Sequence, residues 1–134
     1  MTEEALYLDS SAIVKLVLPE PETAALVARL RDDPEVISSV LARIEVLRAL
    51  KRIKATPAVW RQAERVLDRI ALVRIDDAVV DSAADMDPAE LRSLDAVHLA
   101  TALGIGERLA GLVTYDSRLR DAADRAGLPV LMPV

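Results

Sequence analysis

ALYLDSSAIVKLVLP, residues 5–19, decides the fold class. A short, mostly apolar run ends on Asp9, two serines follow, and an apolar helical pattern then continues to Pro19. This predicts a buried strand over Ala5 to Leu8 feeding a helix through Leu18, the opening half of a strand–helix–strand unit. Ser10 or Ser11 is the expected helix cap, and Pro19 is the stop.

The same alternation continues outward. PETAALVARLR (21–31) reads as a helix opened by Pro21, followed after Asp32-Asp33-Pro34 by a strand over Glu35 to Ser38. A long helix is expected from about Ser39 to Lys54, and another from Thr56-Pro57 to about Ile70. ALVRI (71–75) is a strand, Asp76 or Asp77 caps a helix, Pro88 starts a helical turn, and Ser93 caps the apolar helix LDAVHLATALG. Leu109 to Tyr115, Asp116 to Ala126 and Pro129 to Met132 complete the pattern as strand, helix and strand. Because the strands are continuous apolar runs, they belong to a sheet covered on both faces. The predicted architecture is one three-layer α/β/α domain over residues 1–134, with a central, mainly parallel sheet.

Composition narrows the function. The 134 residues include one Trp, two Tyr and no Phe, so the core is aliphatic and stacking platforms for nucleic-acid bases are nearly excluded. With no cysteine there are no disulfides, thiolate sites or Cys nucleophiles, which accords with a reducing cytoplasm. No apolar stretch reaches transmembrane length, and the acidic start MTEEALYLD is neither a signal peptide nor a membrane anchor. The net charge of −5 argues against DNA binding by this chain alone.

Four acids sit in or just after apolar runs: Asp9, Glu45 in VLARIEVLRAL, Asp95 in LRSLDAVHLATAL, and Asp116 in GLVTYDSRLRDAA. A carboxylate is costly to bury without a cation or hydrogen bonds. Together these residues are natural ligands for a hard divalent ion, Mg²⁺ or Mn²⁺. Asp9 and Asp116 follow strands and converge on the crevice beyond the strand ends, although each also suits a helix N-cap. If Asp116 caps, one of its oxygens remains for a metal. In an otherwise apolar helix, Asp95, His98 and Thr101 form a polar stripe that calls for a partner or a wet cleft. Glu45 read alone is an ordinary solvated or Arg-paired residue, and gains meaning from the other three. His98 is a candidate to orient Asp95 or touch substrate, set against the ordinary packed histidine. Arg61, Arg65 and Arg69 form a stripe beside Glu64 and Asp68, read first as a salt-bridged surface and second as a phosphate groove with Lys51, Arg52 and Lys54.

A lone histidine without cysteine disfavours zinc, and no G-x-S-x-G elbow, phosphate loop or dinucleotide fingerprint occurs. A receiver domain would need a later phosphoacceptor Asp and a Lys near the last strand, but the chain is Lys-free after Lys54. A dehalogenase-like phosphatase would want D-x-D where Asp9-Ser10-Ser11 stands.

YLDSSAIVKLVLPEPET, ARIEVLRAL, LDAVHLATAL and LVTYDSRLRDAADRAGLPV occur in an order that resembles the PIN domains of the VapC toxin branch, from residue 6 to residue 131. The resemblance implies a Mg²⁺- or Mn²⁺-dependent endoribonuclease. Asp9 and Asp95 would be its principal metal ligands, Asp116 completes the site, and Glu45 ligates the metal or holds a bound water. It further implies that Ser10 and Ser11 contact phosphate or orient Asp9, that a VapB-type antitoxin covers the site, and that the chain forms a homodimer. AIVKLVL and ETAALVARL are candidate surfaces for both partners, with core packing as the alternative. A PIN ribonuclease of RNA processing or decay, outside any toxin pair, is the nearest rival, and a catalytically silent binding module is a more distant one.

Overall fold

The computed structural model of the protein describes residues 4–32 and 34–134; the acidic start at Met1–Glu3 and the middle residue of the Asp32-Asp33-Pro34 break lie outside them. Strands β1 (Ala5–Leu8), β2 (Glu35–Ser39), β3 (Ala71–Val73), β4 (Leu109–Val113) and β5 (Val130–Leu131) form one sheet in the order β3-β2-β1-β4-β5. All four pairings are parallel. Between them run α1 (Ser10–Val17), α2 (Thr23–Arg29), α3 (Val40–Arg52), α4 (Pro57–Asp68), α5 (Asp77–Ala84), α6 (Ser93–Ile105) and α7 (Ser117–Arg125).

The alternation of side chains along β1 divides the core. Leu6 and Leu8 pack with Ile13 and Val17 of α1, Val46 and Leu50 of α3, and Leu67 of α4. Ala5 and Tyr7 pack on the opposite face with Leu99 of α6 and Leu119 of α7. These are the two helical layers of the expected α/β/α sandwich. Every β1 residue has 0% exposure, which explains its unbroken apolar reading. In AIVKLVL and ETAALVARL, Ala12, Ile13, Val17 and Leu26 are buried in this packing and Val14, Leu16, Leu18 and Leu30 pack against it partly buried, while Val27 stays exposed. No described helix is long and apolar enough to cross a membrane.

Strand order sets the place of the site. From β1 the chain adds β2 and β3 on one side, then returns to add β4 and β5 on the other. The sense of winding therefore reverses between β1 and β4, and in such sheets the crevice outside the carboxyl ends of these strands is open for ligands. Asp9 directly follows β1, and Thr114 directly follows β4. The Asp9 amide donates to the Val113 carbonyl at 3.3 Å, so the two strand ends stay together one residue past the ladder.

Several local expectations change. Asp9 caps α1, because its Oδ1 reaches the Ala12 amide at 3.0 Å. Ser10 becomes the first helical residue, and the Ser11 hydroxyl donates to Asp9 instead. The second helix starts at Thr23, two residues after Pro21, because the Thr23 hydroxyl is tied into the turn by the Glu20 amide and the Lys15 carbonyl. Pro88 opens a single turn closed by the Leu91 amide. Arg92, not Ser93, stands at the N-cap of α6 and caps no amide with its side chain. Thr56, Asp76 and Asp116 cap as expected.

β5 approaches β4 closely at Gly111, where a Cβ would lie 3.1 Å from the Leu131 side chain and 3.3 Å from the Pro129 carbonyl. Gly111→Val is predicted to lower stability by about 1–3 kcal/mol by forcing β5 outward. A urea midpoint equal to wild type would contradict this close packing.

Candidate active site

Each of the four acids is delivered by a different element, and hydrogen bonds connect three of them into one string. Asp9 has 3% exposure, yet both its oxygens are engaged. Oδ1 accepts from the Ser11 hydroxyl at 2.6 Å and the Ala12 amide at 3.0 Å; Oδ2 accepts from the Thr114 hydroxyl at 2.6 Å. Burial pushes the Asp9 carboxyl up, and these three donors offset only part of this. Thr114, with 0% exposure, also accepts the Asp116 amide at 3.1 Å, so it ties the ends of β1 and β4 to the start of α7.

Asp116 divides its carboxylate. Oδ1 caps α7 through the Arg118 and Leu119 amides, while Oδ2 faces the Arg92 guanidinium at 3.4 Å. The same guanidinium lies 3.4 Å from Asp95 Oδ2. Burial, and then the charge of Asp116, raise the Asp95 carboxyl, and Arg92 offsets part of this. Asp95 and Asp116 are thus two mutually repelling carboxylates facing one cation. Arg92 is largely exposed, so its ion pairs are weak and easily exchanged.

Glu45 does not pair with Arg48 or Arg52, as its sequence neighbourhood allowed. Its Oε1 meets His98 Nε2 at 2.6 Å, and His98 Nδ1 meets the Tyr7 hydroxyl at 2.6 Å. His98 has 2% exposure and both nitrogens occupied, so it neither orients Asp95 nor reaches a substrate. The stripe on α6 divides in the same way. Asp95 looks toward Asp116, His98 looks inward, and Thr101 bonds back to its own helix at the Val97 carbonyl, a common resting place for a helical threonine.

A cleft of about 800 Å³ has Ser10, Ser11, Lys15, Glu45, Arg48 and Arg52 among its lining residues; of the four acids, Glu45 alone lines it, while Leu94 and Tyr115 bring its wall next to Asp95 and Asp116 in the chain. Lys15 is held by Glu20 and Glu22 and lies 4.6 Å from the centre of the Tyr115 ring. Arg61 and Arg65 line a separate shallow surface with Glu64, and Arg69 lines another groove, so that stripe is no wall of this cleft. Arg43 bridges to Glu64, as a salt-bridged surface requires.

Among the described residues, no three acids or histidines converge closely enough to hold an ion as they stand. Asp9 is occupied by hydroxyl and amide donors, and Glu45 by His98. The Asp95–Asp116 pair nevertheless suits a divalent ion, because its charge repulsion needs a cation and the present one is an exposed guanidinium. Mg²⁺ in particular is held by one or two carboxylates, with waters and substrate oxygens completing its octahedron. Thr114 and Arg92 were missed in the sequence; the only signals were their places two residues before Asp116 and three before Asp95.

The PIN domain family matches residues 6–125. Over 129 residues the chain is 48% identical to Ribonuclease VapC46 of Mycobacterium tuberculosis, covering 96% of this chain and 98% of that protein. Two solved structures share the fold. VapC20 of Mycobacterium tuberculosis, a sarcin–ricin loop cleaving toxin, superposes with a TM-score of 0.71 at 18% identity, covering 96% of this chain and 99% of that one. A chain of VapBC2 from Rickettsia felis, bound to a DNA fragment from its promoter, gives a TM-score of 0.75 at 12% identity, covering 95% and 97%.

Two measurements check the site's physics. Thr114→Val strips Asp9 of a donor and the Asp116 amide of its acceptor, and should cost about 1–3 kcal/mol in urea unfolding. An unchanged midpoint would contradict the link. Asp95 has a folded pKa above its unfolded value, so the folded state binds the extra proton between the two. Stability of the metal-free protein should therefore fall as pH rises through that window, with the penalty fully present above it. Asp95→Asn removes that penalty. Its Tm should exceed wild type at neutral pH, with the gap closing as pH falls through the carboxylate range; a lower Tm at neutral pH contradicts the account.

Proposed function

The chain belongs to the PIN-domain family, in its VapC ribonuclease branch, and from that premise we propose that it is the toxin of a type II toxin–antitoxin pair. Its proposed activity is Mg²⁺- or Mn²⁺-dependent endonucleolytic hydrolysis of RNA phosphodiester bonds. The observation that carries the reading is the Asp95–Asp116 pair, which shares one exchangeable cation and is tied through Thr114 to Asp9 at the end of β1.

Asp95 and Asp116 would hold the metal through the oxygens that now face Arg92. Asp9 and Glu45 complete the proposed set. Asp9 Oδ2 accepts one described hydrogen bond, and Glu45 accepts through Oε1, so each carboxylate keeps acceptor capacity. A divalent ion bound there supplies Lewis acidity toward a phosphoryl oxygen and lowers the pKa of a water. Ser11 orients Asp9, and Ser10 stands at the cleft where it can meet phosphate. Arg48 and Arg52 on the cleft wall offset the negative charge of an RNA backbone entering an acidic site.

An RNA substrate puts this work in the cytoplasm. Because β1 and β5, from the two ends of the chain, belong to one sheet, residues 1–134 are proposed to act as a single domain. A VapB-type antitoxin is the proposed partner. The exposed Ile44 and Leu94 on the cleft margin are apolar surface that such a partner would cover. Homodimerisation belongs to the same proposal.

The test is cleavage of total RNA by purified wild-type, Asp9→Asn and Asp95→Asn proteins with Mg²⁺, Mn²⁺ or EDTA. Wild type should cleave only with metal. Each variant should lose on the order of 100-fold or more, the scale for removing one group that stabilises transition-state charge. Full metal-dependent cleavage by either variant would overturn the residue assignment, and cleavage in EDTA would overturn the metal requirement.

A further inference from the structure

Glu45 is anchored differently from the other three acids. Asp9 and Asp116 are short side chains fixed as helix N-caps, and Asp95 stands in the first turn of α6 against Arg92. Glu45 projects from the middle of α3 on a longer, more flexible stem, with neither a cap nor a described arginine partner. What holds it is His98 Nε2 at 2.6 Å. His98 is held in turn by Tyr7, through a 2.6 Å hydrogen bond to Nδ1 and an edge-on ring contact with centroids 5.8 Å apart.

The composition makes this placement informative. The chain has one histidine, two tyrosines and no phenylalanine, yet one tyrosine and the histidine meet inside an otherwise aliphatic core. Tyr7 lies at the centre of the sheet with 0% exposure, and His98 has 2%. Two polar rings buried there need each other's hydrogen bonds, and the described chain leaves no buried side-chain polar atom without a partner. Packing alone would be met by leucine at both positions.

Hydrogen-bond complementarity fixes the direction of the string. A carboxylate only accepts, so Nε2 carries the hydrogen and donates to Glu45; in the neutral ring Nδ1 then accepts from the Tyr7 O–H. Burial pushes the Tyr7 phenol well up, so it keeps the proton it donates. Geometry adds a second consequence. Asp95 and His98 are one turn apart on α6, so the helix that carries Asp95 also sets, through His98, where the Glu45 carboxylate stands. The separation of two acids from different helices is thereby fixed by a single polar turn.

We propose that His98 and Tyr7 are positioning residues that hold Glu45 from the central strand through a one-way string, Tyr7 O–H to His98 Nδ1 and His98 Nε2–H to the Glu45 carboxylate. This rests on the nuclease reading for its purpose, and on the structure for its geometry. Groups that orient a metal-site carboxylate typically change metal affinity or activity by about 10–100-fold when removed.

The test uses the full chain with Mn²⁺ alone as probe, followed by RNA cleavage kinetics. His98→Leu and Glu45→Gln should each weaken Mn²⁺ binding in calorimetry by about 10–100-fold. The double variant should be no weaker than Glu45→Gln, because His98 acts through Glu45. His98→Gln, which can restore a donor toward Glu45, should recover part of the loss. In cleavage assays the loss should fall on kcat rather than KM. Because the chain has a single histidine, nitrogen NMR reads its tautomer without ambiguity and should show hydrogen on Nε2 and none on Nδ1.

Tyr7→Phe removes one hydroxyl and carries the test should His98→Leu fail to fold; it should weaken Mn²⁺ binding in the same direction. Losses that multiply in the double variant, the opposite tautomer, or wild-type Mn²⁺ affinity in folded Tyr7→Phe and His98→Leu would each overturn the proposal. Glu45-dependent Mn²⁺ binding with the predicted coupling but no RNA cleavage would leave positioning intact and remove the nuclease reading instead.

Discussion

A carboxylate with 3% exposure at the end of the central strand is the constraint on which the rest of the structure depends. Asp9 can remain there because three donors from two places reach it: the Ser11 hydroxyl and the Ala12 amide from α1, and the Thr114 hydroxyl from the end of β4. Those bonds fix how α1 leaves β1 and how closely β4 lies beside β1. Without them a buried charge would cost several kcal/mol or take up a proton. The carboxyl ends of β1 and β4 are therefore tied together around a buried acid.

From Asp9 the arrangement extends in one direction through hydrogen bonds and in another through charge. Thr114 passes the connection to Asp116, and Asp116 shares Arg92 with Asp95. Arg92 is a poor permanent counter-ion, being exposed and at hydrogen-bond distance only by a long contact to each oxygen. On the proposed reading a divalent cation, with its higher charge density, would replace it. Glu45 is held apart from this exchange, fixed by His98 and Tyr7 from inside the core.

Much of the fold was legible because parallel strands buried on both faces leave unbroken apolar runs; β1 and β4 are the clearest, and their ends named Asp9 and Asp116. Errors clustered where several polar residues compete for one cap. At Asp9-Ser10-Ser11 the sequence offers three candidates, and the outcome depends on Thr114, which is 105 positions away from Asp9. The role of His98 was out of reach for the same reason: its partners lie 53 and 91 positions away, so no local spacing encodes them. Thr101 shows the opposite failure, a polar residue at the right period whose bond is spent on its own helix. Periodicity identifies a polar stripe, but only tertiary contacts say which of its members face the cleft.

The central proposal is that the Asp95–Asp116 charge pair binds a divalent cation. Thermal unfolding of metal-free wild type and Asp95→Asn, each titrated with Mn²⁺, tests it most directly. A ligand that binds only the folded state raises Tm with concentration, so wild type should rise progressively while Asp95→Asn stays nearly flat. Equal rises in the two proteins, or none in either, would contradict the account.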